Sequence, residues 1–309
     1  MPIYLKESDV AEFLDMPSTI GALREAFAAR ARGEAVIVPR TRWEFGDRRL
    51  NVMGGGMRSP NRYALKSYGS SAYHVLLYSA PQGLLAIIEA NTLGQIRTGA
   101  ASAVATERMA RAGAGKVGLI GAGRQARTQA LALHAIGMLT DLAVFVRTRS
   151  DLEGFCTELA GELGMPVRAA ASAEAAVAGA DIVVTATNSA KPVLMNDWLK
   201  PGTHVNAMGA NAANRRELDP AIVVRASLVV TDDIEQAKVE AGEFIDLHAA
   251  GRLDWSKVKA LHQVVGAERM ARDAGAITLF KSLGVGLEDV AAASLVYDRA
   301  MASGRFKPL

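Results

Sequence analysis

Two groups of residues in this chain are of types and spacings that can do chemistry. The first is Lys116-Val117-Gly118-Leu119-Ile120-Gly121-Ala122-Gly123-Arg124-Gln125-Ala126, an apolar run leading into Gly-x-Gly-x-x-Ala. Between a strand and a helix, that spacing predicts a dinucleotide-binding turn. Gly121 permits the tight turn, Gly123 lets backbone approach a pyrophosphate, and Ala126 is small enough for close helix–strand packing. Ala126, Ala130, Leu133 and Ile136 recur at helical spacing up to Gly137. The pyrophosphate is therefore expected at a helix N-terminus, beside Arg124 and Gln125, where unbonded N–H groups and the helix dipole favour an anion. The second group is Arg40, Lys66 and Arg97, which fall at the ends of predicted elements or inside an apolar alternating strand. Each could bind a carboxylate or move a proton, although a solvated charge is the ordinary state of such residues.

Cofactor choice is written at the tip of the second strand, where an Asp or Glu about 20 residues past the glycines binds the ribose 2′-hydroxyl of NAD. This chain has Arg147-Thr148-Arg149-Ser150 there. Two guanidiniums and two hydroxyls suit a 2′-phosphate through charge-assisted bonds, which makes NADP(H) the expected cofactor and NAD(H) the second choice. The other reading is a solvated helix entry, with Ser150 as the cap and Asp151 and Glu153 in the first turn. A cap accounts for Ser150 but not for paired arginines where an acid is missing.

The elements that must position these groups fall into two kinds. From residue 116 onward strands and helices alternate: strands over 142–146, 167–170, 181–187, 203–208 and 227–231, helices over 150–163 and 173–178, and a loop over 209–220. That order predicts an α/β fold with a parallel sheet, the Rossmann arrangement. The first hundred residues differ. A helix over 17–33 and a strand over 36–43 precede alternating segments broken by Gly54-Gly55-Gly56 and Ser59-Pro60-Asn61. Strands over 63–68, 74–78 and 84–88 and a helix over 98–112 follow. This reads as an antiparallel sheet in a second, α+β domain.

Composition is consistent with this. At 309 residues, 50% of them hydrophobic, the chain has length for about two domains and ample material for a core. No apolar run reaches the ~18 residues of a membrane span, and Met1-Pro2-Ile3-Tyr4-Leu5-Lys6-Glu7 lacks the order of a signal peptide, so neither membrane nor export is expected. The single Cys156 precludes an internal disulfide framework and suits the reducing cytosol. His74, His134, His204, His248 and His262 lack metal-ligand spacing, so no metal is expected. A net charge of +3 without a basic run excludes nucleic acid as a partner.

Three stretches together resemble the ornithine cyclodeaminase and mu-crystallin family: residues 95–103 (Gln-Ile-Arg-Thr-Gly-Ala-Ala-Ser-Ala), 121–126 (Gly-Ala-Gly-Arg-Gln-Ala) and 277–289 (Ile-Thr-Leu-Phe-Lys-Ser-Leu-Gly-Val-Gly-Leu-Glu-Asp). The resemblance covers nearly the whole chain. It implies a substrate-binding and dimerisation domain from residues 1–113 and 290–309, a Rossmann NAD(P)-binding domain over 114–289, and a homodimer. Arg40 and Arg97 would hold a substrate carboxylate, and Lys66 would lie against the reacting carbon and nitrogen. Thr185, Ala186, Thr187 and Asn188, with Met208 and Gly209, would line the nicotinamide.

One departure bears on activity. Deaminating members of the family carry an Asp shortly after the glycine matching Gly209, whereas this chain has Asn211. An amide exchanges no proton near neutral pH, so the shuttle that ornithine cyclisation needs is missing at this position. Asn211 is either a substrate contact or a turn residue in a left-handed conformation. Reducing a formed imine needs less: a carboxylate clamp, one acid and a hydride. With Lys66 and Asn211 as the catalytic positions, the expectation is an NADPH-dependent reductase of imines derived from 2-oxo acids, of ketimine or pyrroline-2-carboxylate type, or an enzyme of reductive amination in amino-acid metabolism. Ornithine cyclodeaminase activity and a non-catalytic, NADPH-binding role like that of some mu-crystallin relatives are the alternatives.

Overall fold

The computed structural model describes residues 2–69, 72–148, 151–267 and 273–306. The chain forms two compact units, one from residues 1–101 and 284–309 and one from 102–283. No helix among the described residues is long and apolar enough to cross a membrane.

The first unit contains β1 (Ile3–Leu5), α1 (Glu7–Phe13), α2 (Met16–Ala31), β2 (Ala35–Phe45), β3 (Arg48–Met57), β4 (Arg62–Tyr68), β5 (Tyr73–Ser79) and β6 (Gly83–Glu89). It also holds the start of α3 (Asn91–Met109), and the helix Gly286–Ala302, α11 in chain order, returns to it. The sheet order is β1-β6-β5-β4-β3-β2. It is antiparallel except at its edge, where β1 runs parallel to β6, a correction to the wholly antiparallel reading. Period-two alternation sends Ala64 and Lys66 of β4 inward and leaves Tyr63 and Leu65 exposed. Gly54-Gly55-Gly56 lets the start of α11 lie on the inner face. A Cβ on Gly55 would stand 2.8 Å from the Leu287 nitrogen, and one on Gly286 would run into the Gly54 carbonyl.

The second unit follows α3 with β7 (Lys116–Ile120), α4 (Arg124–Ala135), β8 (Asp141–Phe145), α5 (Leu152–Leu163), β9 (Val167–Ala169), α6 (Ala173–Val177), β10 (Ile182–Thr185) and β11 (His204–Ala207). Then come α7 (Pro220–Arg225), β12 (Leu228–Thr231), α8 (Ile234–Glu240), α9 (Gly242–Ala249), β13 (Val258–Ala260), α10 (Leu261–Val265) and β14 (Thr278–Lys281). The order β13-β12-β14-β11-β10-β7-β8-β9 is parallel throughout. Its strands read as buried runs because two apolar clusters sandwich them, one around Phe155 and Leu133 and one around Phe244 and Leu279. Strand order reverses between β7 and β10, the switch point where such sheets bind ligands.

Several boundaries differ from the sequence reading. Helix α3 begins at Asn91 rather than Thr98 because the Glu7 carboxylate caps it, accepting from Asn91 N at 2.6 Å and Thr92 N at 2.9 Å. Helix α5 begins at Leu152, with Asp151 as the cap accepting from Gly154 N at 2.8 Å; Ser150 lies outside the described residues. The unit breaks fall at 101/102 and 283/284 instead of 113/114 and 289/290. The first lies inside α3, and Glu288 and Asp289 belong with the first unit because they pair with its buried cations.

Candidate active site

Arg40, Lys66 and Arg97 gather in the first unit, and each needs a local device to get there. Period two puts residue 40 on the exposed face with Val36 and Val38, but the register shifts between Val38 and Thr41, at Pro39. This bulge turns Arg40 inward, where it is 8% exposed. Its Nη2 donates to the Gly284 carbonyl at 2.9 Å. Lys66 Nζ donates to Asp289 Oδ1 at 2.8 Å, and the same oxygen accepts from Arg97 Nε at 3.2 Å. Arg97 Nη1 reaches Glu288 Oε2 at 2.5 Å. Gly284 has φ +75, and a Cβ there would stand 2.6 Å from Arg97 Nη1. One turn before Arg97, Gly94 leaves room for the ammonium: a Cβ would lie 3.0 Å from Lys66 Nζ.

Lys66 and Arg97 thus pair with two carboxylates, Glu288 and Asp289, with Arg40 beside them on the Gly284 carbonyl, all of them buried. Three cationic side chains gathered in one buried place suit an incoming carboxylate. Burial pushes the Lys66 ammonium down from its ordinary range; Asp289 opposes this, while Arg97 and Arg40 add to it. A lysine in that state gives up its proton more readily than a solvated one.

The remaining expected residues lie in the second unit. Gly121, at φ +125, allows the turn after β7, since a Cβ would run into the Ala186 carbonyl. Its N–H donates to the Phe145 carbonyl at 2.8 Å, which ties the turn to the end of β8. Gly123 caps α4, and a Cβ there meets nothing within 4 Å, so the approach to the α4 N-terminus is open. Ala126 is fully buried against the sheet, with Arg124 exposed and Gln125 half-buried beside it. These residues fit a pyrophosphate. Arg147 and Thr148 are exposed just past β8, while Arg149 lies outside the described residues. Thr185 ends β10, Ala186 and Thr187 follow it, and Met208 and Gly209 follow β11.

Asn211 is half-buried in the loop after β11. It is not left-handed: among the described residues Asn61 alone combines a side chain with positive φ. The turn-residue alternative is corrected accordingly. No group of three or more His, Cys, Asp or Glu among the described residues could hold a metal ion.

Three acids in these clusters escaped the sequence reading. Glu288 and Asp289 stood in the sequence only as the end of the stretch over 277–289, with no role assigned. Glu217, within a segment read as loop, is fully buried and accepts four hydrogen bonds from Thr187, Gly209 and Ala210. Burial pushes its carboxyl up, against the pull of Lys281 and of those donors. No local signal marks it: Gly209 and Ala210 lie at the far end of its own loop and Thr187 in the loop after β10.

The ornithine cyclodeaminase/mu-crystallin family model matches residues 2–304. The mouse ketimine reductase mu-crystallin is 35% identical over 226 residues, 72% of this chain and 68% of that protein. The structure of Thermococcus litoralis Δ1-pyrroline-2-carboxylate reductase in complex with NADH and L-proline superposes with a TM-score of 0.93. It has 29% identity and covers 99% of this chain and 100% of that one. An archaeal alanine dehydrogenase dimer with bound NAD gives 0.92 at 28% identity, covering 100% of this chain and 98% of that one.

Proposed function

The chain belongs to the ornithine cyclodeaminase/mu-crystallin family, and from that premise we propose that it is an NAD(P)-dependent oxidoreductase reducing imines of 2-oxo acids to L-amino acids. The substrate class is a cyclic ketimine such as Δ1-pyrroline-2-carboxylate, or the open imine formed in reductive amination. The observation that carries this is the buried cluster in which Lys66 and Arg97 pair with Asp289 and Glu288, with Arg40 beside them on the Gly284 carbonyl. Relatives that reduce a ketimine and a pyrroline-2-carboxylate support it.

Arg40 and Arg97 hold the substrate carboxylate. That anion also favours the protonated form of Lys66, so binding substrate loads the acid. When bound, a reduced nicotinamide supplies hydride to the imine carbon. Lys66 gives its proton to the nitrogen as the C=N pair moves onto that atom, and Asp289 steadies the lysine in both states. The backbone of Gly121 to Ala126 at the α4 N-terminus holds the pyrophosphate. Arg147 and Arg149 take a 2′-phosphate, which makes NADPH the preferred cofactor, although the similar structures carry NADH or NAD. Thr185 to Thr187 with Met208 and Gly209 line the nicotinamide.

The exposed face of the first unit's sheet is the proposed dimer surface. Val36, Tyr63 and Tyr78 share one cross-strand row and Val38, Leu65 and Leu76 the next. Val36 and Val38 are each 55% exposed, with Tyr63 and Leu65 exposed beside them, a contiguous apolar patch of the kind that marks an interface.

The test is consumption of NADPH and NADH with Δ1-pyrroline-2-carboxylate and other imino acids, beside ornithine supplied with NADP or NAD. Rapid imine reduction is expected. Ornithine should release little ammonia, since Asn211 cannot shuttle a proton, and Asn211→Asp should raise that release. Fast conversion of ornithine by the unmodified protein, or no turnover of any imine, would overturn the reading.

A further inference from the structure

Glu217 sits in the stretch between β11 and α7, yet none of its side chain reaches solvent. Oε1 accepts from Thr187 N at 2.7 Å and Thr187 Oγ1 at 2.8 Å. Oε2 accepts from Gly209 N at 2.6 Å and Ala210 N at 3.0 Å. Thr187 follows β10 and Gly209 follows β11, neighbouring parallel strands, so one carboxylate joins the loops that leave the same end of the sheet. We propose that Glu217 is the positioning residue of the nicotinamide half of the cofactor site, setting the spacing of the loops at Thr187 and Gly209 as their common acceptor. This rests on the reading of those loops as nicotinamide-lining.

The loops have no slack. A Cβ on Gly209 would run into the backbone of Thr187, so only glycine permits the approach that Glu217 bridges. Glu217 is itself held from behind. Its own N–H donates to Glu243 Oε1 at 2.8 Å, and Glu243 pairs with Lys281 at 3.2 Å, both side chains fully buried. The bridge therefore runs from the end of β14 through α9 to both loops. Chemistry restricts the residue type as well. An ionised carboxylate offers acceptors on both oxygens and no donor. A glutamine, whichever way its amide turns, sets an N–H2 against one pair of donors. Removing the bridge should spread the loops that touch nicotinamide and spare the adenosine half, held after β7 and β8.

The experiment compares the affinities of the wild-type protein and E217Q for NADH and NADPH, and for ADP-ribose and its 2′-phosphate, which lack the nicotinamide. Hydrogen bonds to a charged acceptor are strong enough that E217Q should weaken both dinucleotides by about tenfold. Both nicotinamide-free fragments should bind as in the wild type, a split that general loss of folding would not produce. Equal weakening of fragments and dinucleotides, or no change in either, overturns the assignment. Failure of the wild-type protein to bind either dinucleotide overturns instead the cofactor reading it rests on. If E217Q does not fold, T187V decides. It removes one donor without touching charge and should show the same split at about threefold; its absence refutes the role.

Discussion

Replacing Lys66 with methionine separates the chemistry of the first unit from its stability. The ammonium is 3% exposed and 2.8 Å from Asp289 Oδ1. Breaking a buried ion pair costs about 3–5 kcal/mol when one charge is left alone. Here Asp289 keeps Arg97 at 3.2 Å, though its Oδ2 has no hydrogen-bond partner, and methionine avoids the cost of burying an ammonium. The expected loss of stability is accordingly about 1–3 kcal/mol. Turnover should fall by about a hundredfold or more, which is roughly 2.7 kcal/mol of barrier, with NADPH affinity unchanged. The pH profile gives a second reading. Because burial lowers the lysine, the wild-type rate should fall as pH rises through a value below the ordinary ~10.4, the proton being lost from the donor. Stability should move oppositely, rising with pH above that lowered value up to ~10.4, since there the unfolded chain binds the extra proton. Lys66→Met should lose the alkaline limb of activity. The assay is oxidation of NADPH by Δ1-pyrroline-2-carboxylate across pH, beside thermal unfolding. A folded, cofactor-binding Lys66→Met protein with normal turnover, or with the alkaline limb intact, would refute the assignment.

NADPH should bind about tenfold to a hundredfold more tightly than NADH, the effect of one or two phosphate contacts at about 1.5–3 kcal/mol each. Arg147→Ala with Arg149→Ala should abolish the difference; equal dissociation constants in the unmodified protein, or a preference surviving the double change, would count against it. Asp181 accepts from Arg111 at 2.5 Å, Lys200 at 2.7 Å, and Gly115 N and Lys116 N at 3.1 Å. Burial alone would raise its carboxyl, but Lys200, Arg111 and the two N–H groups hold it well below the usual range. Asp181→Asn should cost about 1–2 kcal/mol near neutral pH, discounted because both cations are partly exposed. That difference should be full above ~3.9, the unfolded carboxyl's range, and shrink in melting experiments as pH falls below it.

The glycine turn between β7 and α4 was legible because its causes are local: two glycines, a small residue, and patterns of period two and 3.6 on either side. Lys66 could be singled out because a lysine interrupts an apolar alternation, but its partner is 223 residues away and nothing near either residue announces the other. The inward turn of Arg40 depends on a bulge, which a strict period of two misses. Helix α3 looked shorter than it is because its cap, Glu7, comes from 84 residues earlier. The helices α8, α9 and α10 and the edge strands β1 and β13 went unread, being short elements whose burial is settled by packing rather than by an uninterrupted pattern. Glu217 was hidden for the same reason as Asp289: a buried charge is defined by what surrounds it, and its surroundings are tertiary.

The return of α11 to the first sheet sets an order on synthesis. Arg97 and Lys66 leave the ribosome long before Glu288 and Asp289, so through the making of residues 102–283 the nascent first unit carries cations without their counterions and an inner sheet face without its cover. The second unit is contiguous and can close as soon as β14 is out. The nascent chain therefore completes its Rossmann unit first, and the first unit locks last, when the Gly284 turn delivers the acids. A chain that stops short of Gly284 would leave a folded nucleotide module attached to an unfinished, aggregation-prone sheet. In the cell, an assembled cluster of Lys66 and Arg97 with Glu288 and Asp289 marks a chain that was translated at least as far as Asp289.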